Sequence, residues 1–331
     1  MNLDERLAEL QAIMQHDIGD RGLARVPEDN LITRTATDFA AACRSIAETE
    51  NASVGIITGF LIPTATPPRA ETDGPLGAIH LARVFAWLGI PVVLAAEPFC
   101  STALRIGLKK LKLQKKVRVI DLDADSSEFE EVSKSLTHLI ALERVGPSHT
   151  PASIARKNLG DDTTRLFLET VNAQDHDRLH TMRGIDITES MTPAHRFFEN
   201  TKAVTIGIGD GGNEIGMGKI PWSVIHANIA NGGRIACRIA TDHLIVAGIS
   251  NWGAYALGFG VAFALNKKLP FDFFDIATEF ELLELLVRKG ELIDGKTGQA
   301  TATVDGVSYM DYAMPLNWMG ISYYERDDHR V

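Results

Sequence analysis

The chain has 331 residues, 45% of them hydrophobic and 23% charged, with a formal net charge of −10. This is the composition of a globular protein, not a disordered one, and its negative balance excludes an electrostatic footprint for nucleic acid. Cys43, Cys100 and Cys237 are far apart and odd in number, which argues against a structural zinc site and fits a reducing compartment.

The start Met1–Glu5 is acidic, without the layout of a signal peptide, and no apolar run approaches membrane-spanning length. A cytoplasmic location without membrane partners is expected. Leu3, Leu7, Leu10 and Met14 recur at helical spacing, so residues 3–16 read as an amphipathic helix. Thr35–Glu48 reads as a second, which makes residues 1–50 a helical segment ahead of the sheet. The pattern then changes to short β-branched runs: Val54–Thr58, Val92–Ala96, Val117–Leu122, Leu139–Leu142, Val204–Ile208 and Leu244–Ile249. Such runs read as strands buried on both faces.

Helical stretches over 75–88, 100–112, 125–136, 222–231 and 252–266 separate most of them. The alternation predicts an α/β fold, Rossmann-like, with a mostly parallel sheet and flanking helices. Pro75 opens and Gly89 closes one helix, and Pro221 and Gly232 are expected to do the same for another. Residues 146–200 show no clear strand and read as a helical or irregular insertion, a candidate lid. A last helix is expected around Phe280–Arg288, followed by turn-rich sequence such as Asp294-Gly295-Lys296-Thr297-Gly298. No linker divides the chain, so one domain over 1–331 is expected. The basic run from Lys109 to Arg118 reads as a solvated helix end.

The most patterned segment is Gly207-x-Gly209-Asp210-Gly211-Gly212-Asn213-Glu214-x-Gly216-Met217-Gly218-Lys219, directly after a strand. Its Gly-x-Gly-x-x-Gly form matches a dinucleotide loop, which keeps a nucleotide-dependent enzyme open as an alternative. Against it, Gly216, Gly218 and Pro221 delay the next helix, and Asp210 and Glu214 would repel a pyrophosphate unless a metal intervened. A second loop, Thr58 to Pro75, carries Glu71, Thr72, Asp73 and Gly74 just before a helix, where Asp73 or Thr72 is either a cap or a catalytic group. Glu143-Arg144 ends another strand, and an arginine there makes a good carboxylate clamp; Arg183 in the insertion is a second. Asn251 and Trp252 open a helix and could line a small polar ligand. His176 and His180 have an i, i+4 spacing but read as solvated. In open α/β sheets all of these loops leave the carboxyl edge, where ligands bind.

Together, Glu71-Thr72-Asp73-Gly74-Pro75-x-Gly77-Ala78, Glu143-Arg144, Met182-Arg183-Gly184, the long glycine motif and Ser250-Asn251-Trp252-Gly253 resemble the D-glutamate cyclase family, in its C-terminal catalytic-type domain. The resemblance spans about Val54 to Ala264. It implies a lyase of D-amino acid metabolism that converts D-glutamate to 5-oxo-D-proline with loss of water. Such chemistry needs a base for the ammonium, a proton for the departing oxygen, fixed donors for the oxyanion and a counter-charge for the carboxylate. Glu71, Asp73, Asp210 and Glu214 are the catalytic candidates. Thr72, Gly74, Glu143, Arg144, Arg183, Gly211, Gly212, Asn213, Asn251 and Trp252 are the substrate-binding ones, with the Gly211 and Gly212 amides as an oxyanion site. Asp210 and Glu214 could hold Mg²⁺ or Mn²⁺. A non-catalytic amino-acid-binding protein remains a further alternative, and a homo-oligomer is compatible with the sequence.

Overall fold

A computed structural model describes residues 2–123, 126–156 and 161–324. Helices α1 (Leu3–Met14), α2 (Leu31–Arg34) and α3 (Asp38–Glu48) come first. Strand β1 (Val54–Thr58) follows, then a small hairpin of β2 (Leu61–Ile62) and β3 (Arg69–Ala70), α4 (Pro75–Leu88), β4 (Val92–Ala96), α5 (Pro98–Lys110), β5 (Arg118–Asp121), α6 (Ser127–Ser133) and β6 (His138–Leu142). The expected insertion holds α7 (Pro151–Arg156), α8 (Asp161–Thr170) and α9 (Arg196–Glu199) among irregular turns. Then come β7 (Val204–Gly209), α10 (Trp222–Asn228), α11 (Gly232–Ile235), β8 (His243–Val246), α12 (Ser250–Ala264), α13 (Ile276–Gly290) and α14 (Tyr309–Tyr324).

The six long strands form one sheet in the order β5-β4-β1-β6-β7-β8, with every pairing parallel. Taken in chain order this is the doubly-wound arrangement, and the direction of winding reverses between β1 and β6. Both faces are covered. Ile56, Ile140 and Ile206 pack under Leu81, Phe85, Phe259 and Leu283. On the other face Ile57, Leu139 and Ala141 join Phe129, Phe167, Trp222 and Ile225. Burial on both sides explains why these strands read as unbroken apolar runs.

Pro75 starts α4 and Gly89 ends it in the left-handed region, as expected. Two expectations need correction. The helix opened by Pro221 ends at Asn228, and Gly232 begins α11 instead of closing α10. Tyr309–Tyr324, expected to be turn-rich, is helix α14 with Pro315 inside it; buried Tyr312, Leu316, Met319 and Tyr323 hold it to the core. The Lys109–Lys110 end of α5 is exposed, as expected. None of the helices among the described residues is long and apolar enough to cross a membrane.

Candidate active site

The loops after β1, β6, β7 and β8 converge at the carboxyl edge, around the point where the winding reverses. A cavity of about 230 Å³ opens there. Its charged lining is Arg21, Glu71, Glu143, Arg183, Lys296 and Asp305, and Phe60, Ile62, Met182 and Ile185 supply an apolar wall.

The first structural device is a pair of reciprocal helix caps. Asp73 Oδ1 accepts from the Asn251 amide at 2.8 Å, and Oδ2 from the Ser250 amide at 3.0 Å, which caps α12. In return Asn251 Oδ1 accepts from the Gly74 amide at 2.9 Å and the Gly77 amide at 2.7 Å, capping α4. Each satisfies amides that the first turn of a helix leaves without partners. Gly74 sits at φ 91°, and a Cβ there would come 2.7 Å from Thr58 Oγ1, so only glycine fits. In dinucleotide folds the helix N-terminus after the first strand meets the pyrophosphate. Here Asn251 fills that place and Asp73 adds negative charge.

The second device is the glycine loop. Glu214 Oε1 accepts from the amides of Asp210 at 3.0 Å and Gly211 at 2.7 Å, and Oε2 from the Gly212 amide at 2.7 Å. This is a backbone nest of the kind that binds anions. The expected oxyanion donors of Gly211 and Gly212 are thus already engaged by the chain's own carboxylate. Asn213 donates from Nδ2 to the His180 carbonyl at 2.8 Å, tying the loop to the insertion.

Asp210 is fully buried and does not itself line the cavity; Arg21, which does, reaches its Oδ1 with Nη1 at 2.8 Å. Arg21 Nη2 lies 2.5 Å from Asp305 Oδ2. Sequence reasoning missed both Arg21 and Asp305. Arg21 lies outside every recognised motif. Asp305 is 95 residues from Asp210, and Lys296 falls in a turn visible in the sequence without a visible purpose. In that turn Asp294 Oδ1 accepts from the amides of Lys296 at 3.0 Å and Thr297 at 2.7 Å. Arg183 Nη2 donates to the Lys296 carbonyl at 2.5 Å, joining the insertion to this turn across the cavity mouth. Gly295 packs against Glu71: a Cβ there would lie 1.8 Å from Glu71 Oε2.

Several predicted site residues are placed elsewhere. Arg144 is fully buried, with Nη1 and Nη2 each 2.5 Å from one oxygen of Glu97. It also donates to the carbonyls of Gly59 and Thr192. Its fork clamps an internal carboxylate instead of lining the cavity. Trp252 is core, with Nε1 donating to the Tyr312 carbonyl at 3.0 Å. Thr72 Oγ1 donates to the Thr303 carbonyl at 2.9 Å. His180, expected to be solvated, is buried with Nε2 3.5 Å from Asp175 Oδ1, and His176 is half-buried and stacked on Phe167.

Burial shapes the electrostatics. Glu71, Glu143 and Asp210 all have carboxyl groups held well above the usual range, first by burial. Neighbouring Asp305 and Asp73 raise Glu71 further, and Glu214 and Asp73 raise Glu143. Asp73 is pushed up to about 7 by burial and by Asp305, against the lowering pull of its amide partners. Glu143 Oε2 accepts from Ser250 Oγ at 2.5 Å. No hydrogen bond from a described residue reaches the Glu71 carboxylate.

Two trios of carboxylates meet here, Asp73–Asp210–Asp305 and Glu143–Asp210–Glu214, with one oxygen of each residue within 4.8 Å of the others. Arg21 already pairs with two members of the first. Among the described residues no basic side chain ion-pairs with Glu143 or Glu214. Asp210 Oδ2 is buried without a hydrogen-bond partner. An all-oxygen donor set of this kind fits a hard divalent cation.

Comparison with known proteins gives two findings. The family described as D-glutamate cyclase-like, C-terminal, matches residues 10–318. The human protein named D-glutamate cyclase, mitochondrial, is 27% identical over 266 residues, covering 78% of this chain and 39% of its own length. The chain therefore spans well under half of that relative.

Proposed function

Because this chain belongs to the D-glutamate cyclase-like family, we propose that it converts D-glutamate to 5-oxo-D-proline and water. The observation that carries the reading is the polarity of the cavity. Acids crowd its floor and suit an ammonium group, while Arg183 and Lys296 stand at its mouth and suit the α-carboxylate. A folded glutamate meets both at once, which brings amine and γ-carboxyl together.

In this reading Glu71, raised by burial but drawn back toward its charged form by Arg21, takes a proton from the ammonium as its carboxylate. The freed amine attacks the γ-carbon, forming the ring C–N bond. Glu143, kept protonated and oriented by Ser250, delivers a proton to the departing oxygen. The C–O bond then breaks: the departing oxygen takes the Glu143 proton and the second proton shed by the attacking nitrogen and leaves as water, and the proton held by Glu71 is returned to Glu143 through solvent, so atoms and charge balance. Asp73 and Asn251 hold the two helix ends that position these loops. Asp210 and Glu214 would hold a Mg²⁺ or Mn²⁺ ion, whose charge would offset the loop acids beside an anionic substrate.

The test is incubation of the purified protein with D- and L-glutamate, following loss of primary amine and appearance of 5-oxoproline. Turnover of the D enantiomer is expected, and no loss with either enantiomer removes the reading. For the metal, elemental analysis and assay in chelator decide. Full activity with no bound metal removes it.

A further inference from the structure

Resting on the cyclase reading above, we propose that Arg21 is a catalytic residue: its guanidinium receives the γ-carboxyl group under attack and offsets its negative charge. A carboxylate is a poor electrophile because its charge opposes the incoming electron pair. That charge has to be offset, by a cation or by protonation, at the reacting carboxyl and not at the remote one. Cyclisation fixes where that is, since the γ-carboxyl must lie within bonding reach of the amine. The amine belongs with the acids of the floor. Among the described residues Arg21 is the basic side chain that reaches into this acid cluster, ion-paired with Asp210 and Asp305 and lining the cavity. Arg183 and Lys296 are exposed at the mouth, which leaves them for the other carboxylate.

The segment carrying Arg21 is built to hold it. Asp17 Oδ1 accepts from the Arg21 amide at 2.9 Å, and Oδ2 from the amides of Gly22 at 3.0 Å and Leu23 at 3.1 Å. Gly22 stands at φ 92° with a Cβ position only 2.4 Å from the Asn228 carbonyl, so the turn is wedged against α10. Asn228 Oδ1 also accepts from the Val26 amide at 2.8 Å. The side chain is 19% exposed and lines the cavity. A guanidinium has five N–H donors, and only two of its nitrogens are engaged by Asp210 and Asp305. Both aspartates restrain the group before substrate arrives, which is the preorganisation that makes charge stabilisation effective.

The experiment compares wild type, R21M and R21K on D-glutamate, with thermal melting as the check on folding. R21M is expected to lose roughly 100-fold or more in kcat with KM changed only about threefold, the size typical of a lost transition-state donor. Millimolar guanidinium should restore at least about tenfold of that loss, whereas urea should not. R21K keeps a charge but not the fork, and should lose about tenfold with its melting temperature retained. Wild-type kcat in a folded R21M, or loss without guanidinium rescue, overturns the proposal. If R21M does not fold, R21K decides: unchanged kcat overturns the proposal, and a selective loss of kcat sustains it. An inactive wild type removes the cyclase reading and the proposal with it, while an active wild type with fully active variants removes the proposal alone.

Discussion

Arg144 and Arg183 are equivalent carboxylate clamps in the sequence, and burial separates them. Arg144 holds Glu97 bidentately inside the fold, while Arg183 remains at the cavity mouth. Removing one partner of a buried pair leaves the other charge uncompensated. Arg144→Met should therefore cost roughly 3–5 kcal/mol of stability, and the double variant with Glu97→Met should recover much of it. Chemical denaturation of the three proteins tests this, and an Arg144→Met protein of wild-type stability with raised KM would return Arg144 to substrate binding. His138, at the start of β6, is pushed down to about 4 by burial, with His243 adding to the effect. As pH falls below its ordinary 6.5 the unfolded chain binds this proton first, so stability present above 6.5 is lost toward about 4. His138→Asn should flatten that part of the pH–stability curve, by up to about 3 kcal/mol. Urea midpoints between pH 4 and 7 give the answer.

At the scale of elements, α4 and α12 are locked end to end by the exchange of Asp73 and Asn251. The sequence presents Asp73 as a possible cap for its own helix; it accepts from the Gly74 amide there and also caps the other helix through Ser250 and Asn251. Asn251→Ala leaves the Gly77 amide of α4 without its acceptor, while the Gly74 amide keeps Asp73 Oδ1 at 3.0 Å, and should cost about 1 kcal/mol, judged by the usual worth of an N-cap. Because α4 follows β1 and α12 follows β8, the same change should loosen the loops around Glu71 and Ser250 and lower kcat. Thermal melting and initial rates together check this; an unchanged melting temperature would show that the caps are dispensable. The glycine loop makes a similar point. Its amides form an anion nest, as the pattern of glycines implies, but Glu214 from the same loop fills it.

Across the whole molecule the site draws on both ends of the chain. Arg21 comes from ahead of the sheet, and Lys296 and Asp305 from behind it. Helix α14 closes the core around Trp252, whose indole donates to the Tyr312 carbonyl. Removal of residues 309–331 would expose that indole and take Tyr312, Leu316, Met319 and Tyr323 out of the interior. The truncated chain should lose its cooperative thermal transition, and a sharp transition near the wild-type temperature would contradict this.

The six strands, most of the helices and the loops at the carboxyl edge are legible in the sequence. Local steric preference and burial on both faces write themselves into short β-branched runs, prolines and glycines. The glycine motif likewise singles out Asp210 and Glu214 as candidates. What the sequence does not carry is pairing between distant side chains. Arg21 meets Asp210 across 189 residues, Asp73 meets Asn251 across 178, and Arg183 meets Lys296 across 113. Nor does it say which of many charged groups are stripped of water. Only the folded packing decides that, and it turns Arg144 into an internal brace, Glu214 into the occupant of its own loop and Arg21 into the cation of the floor.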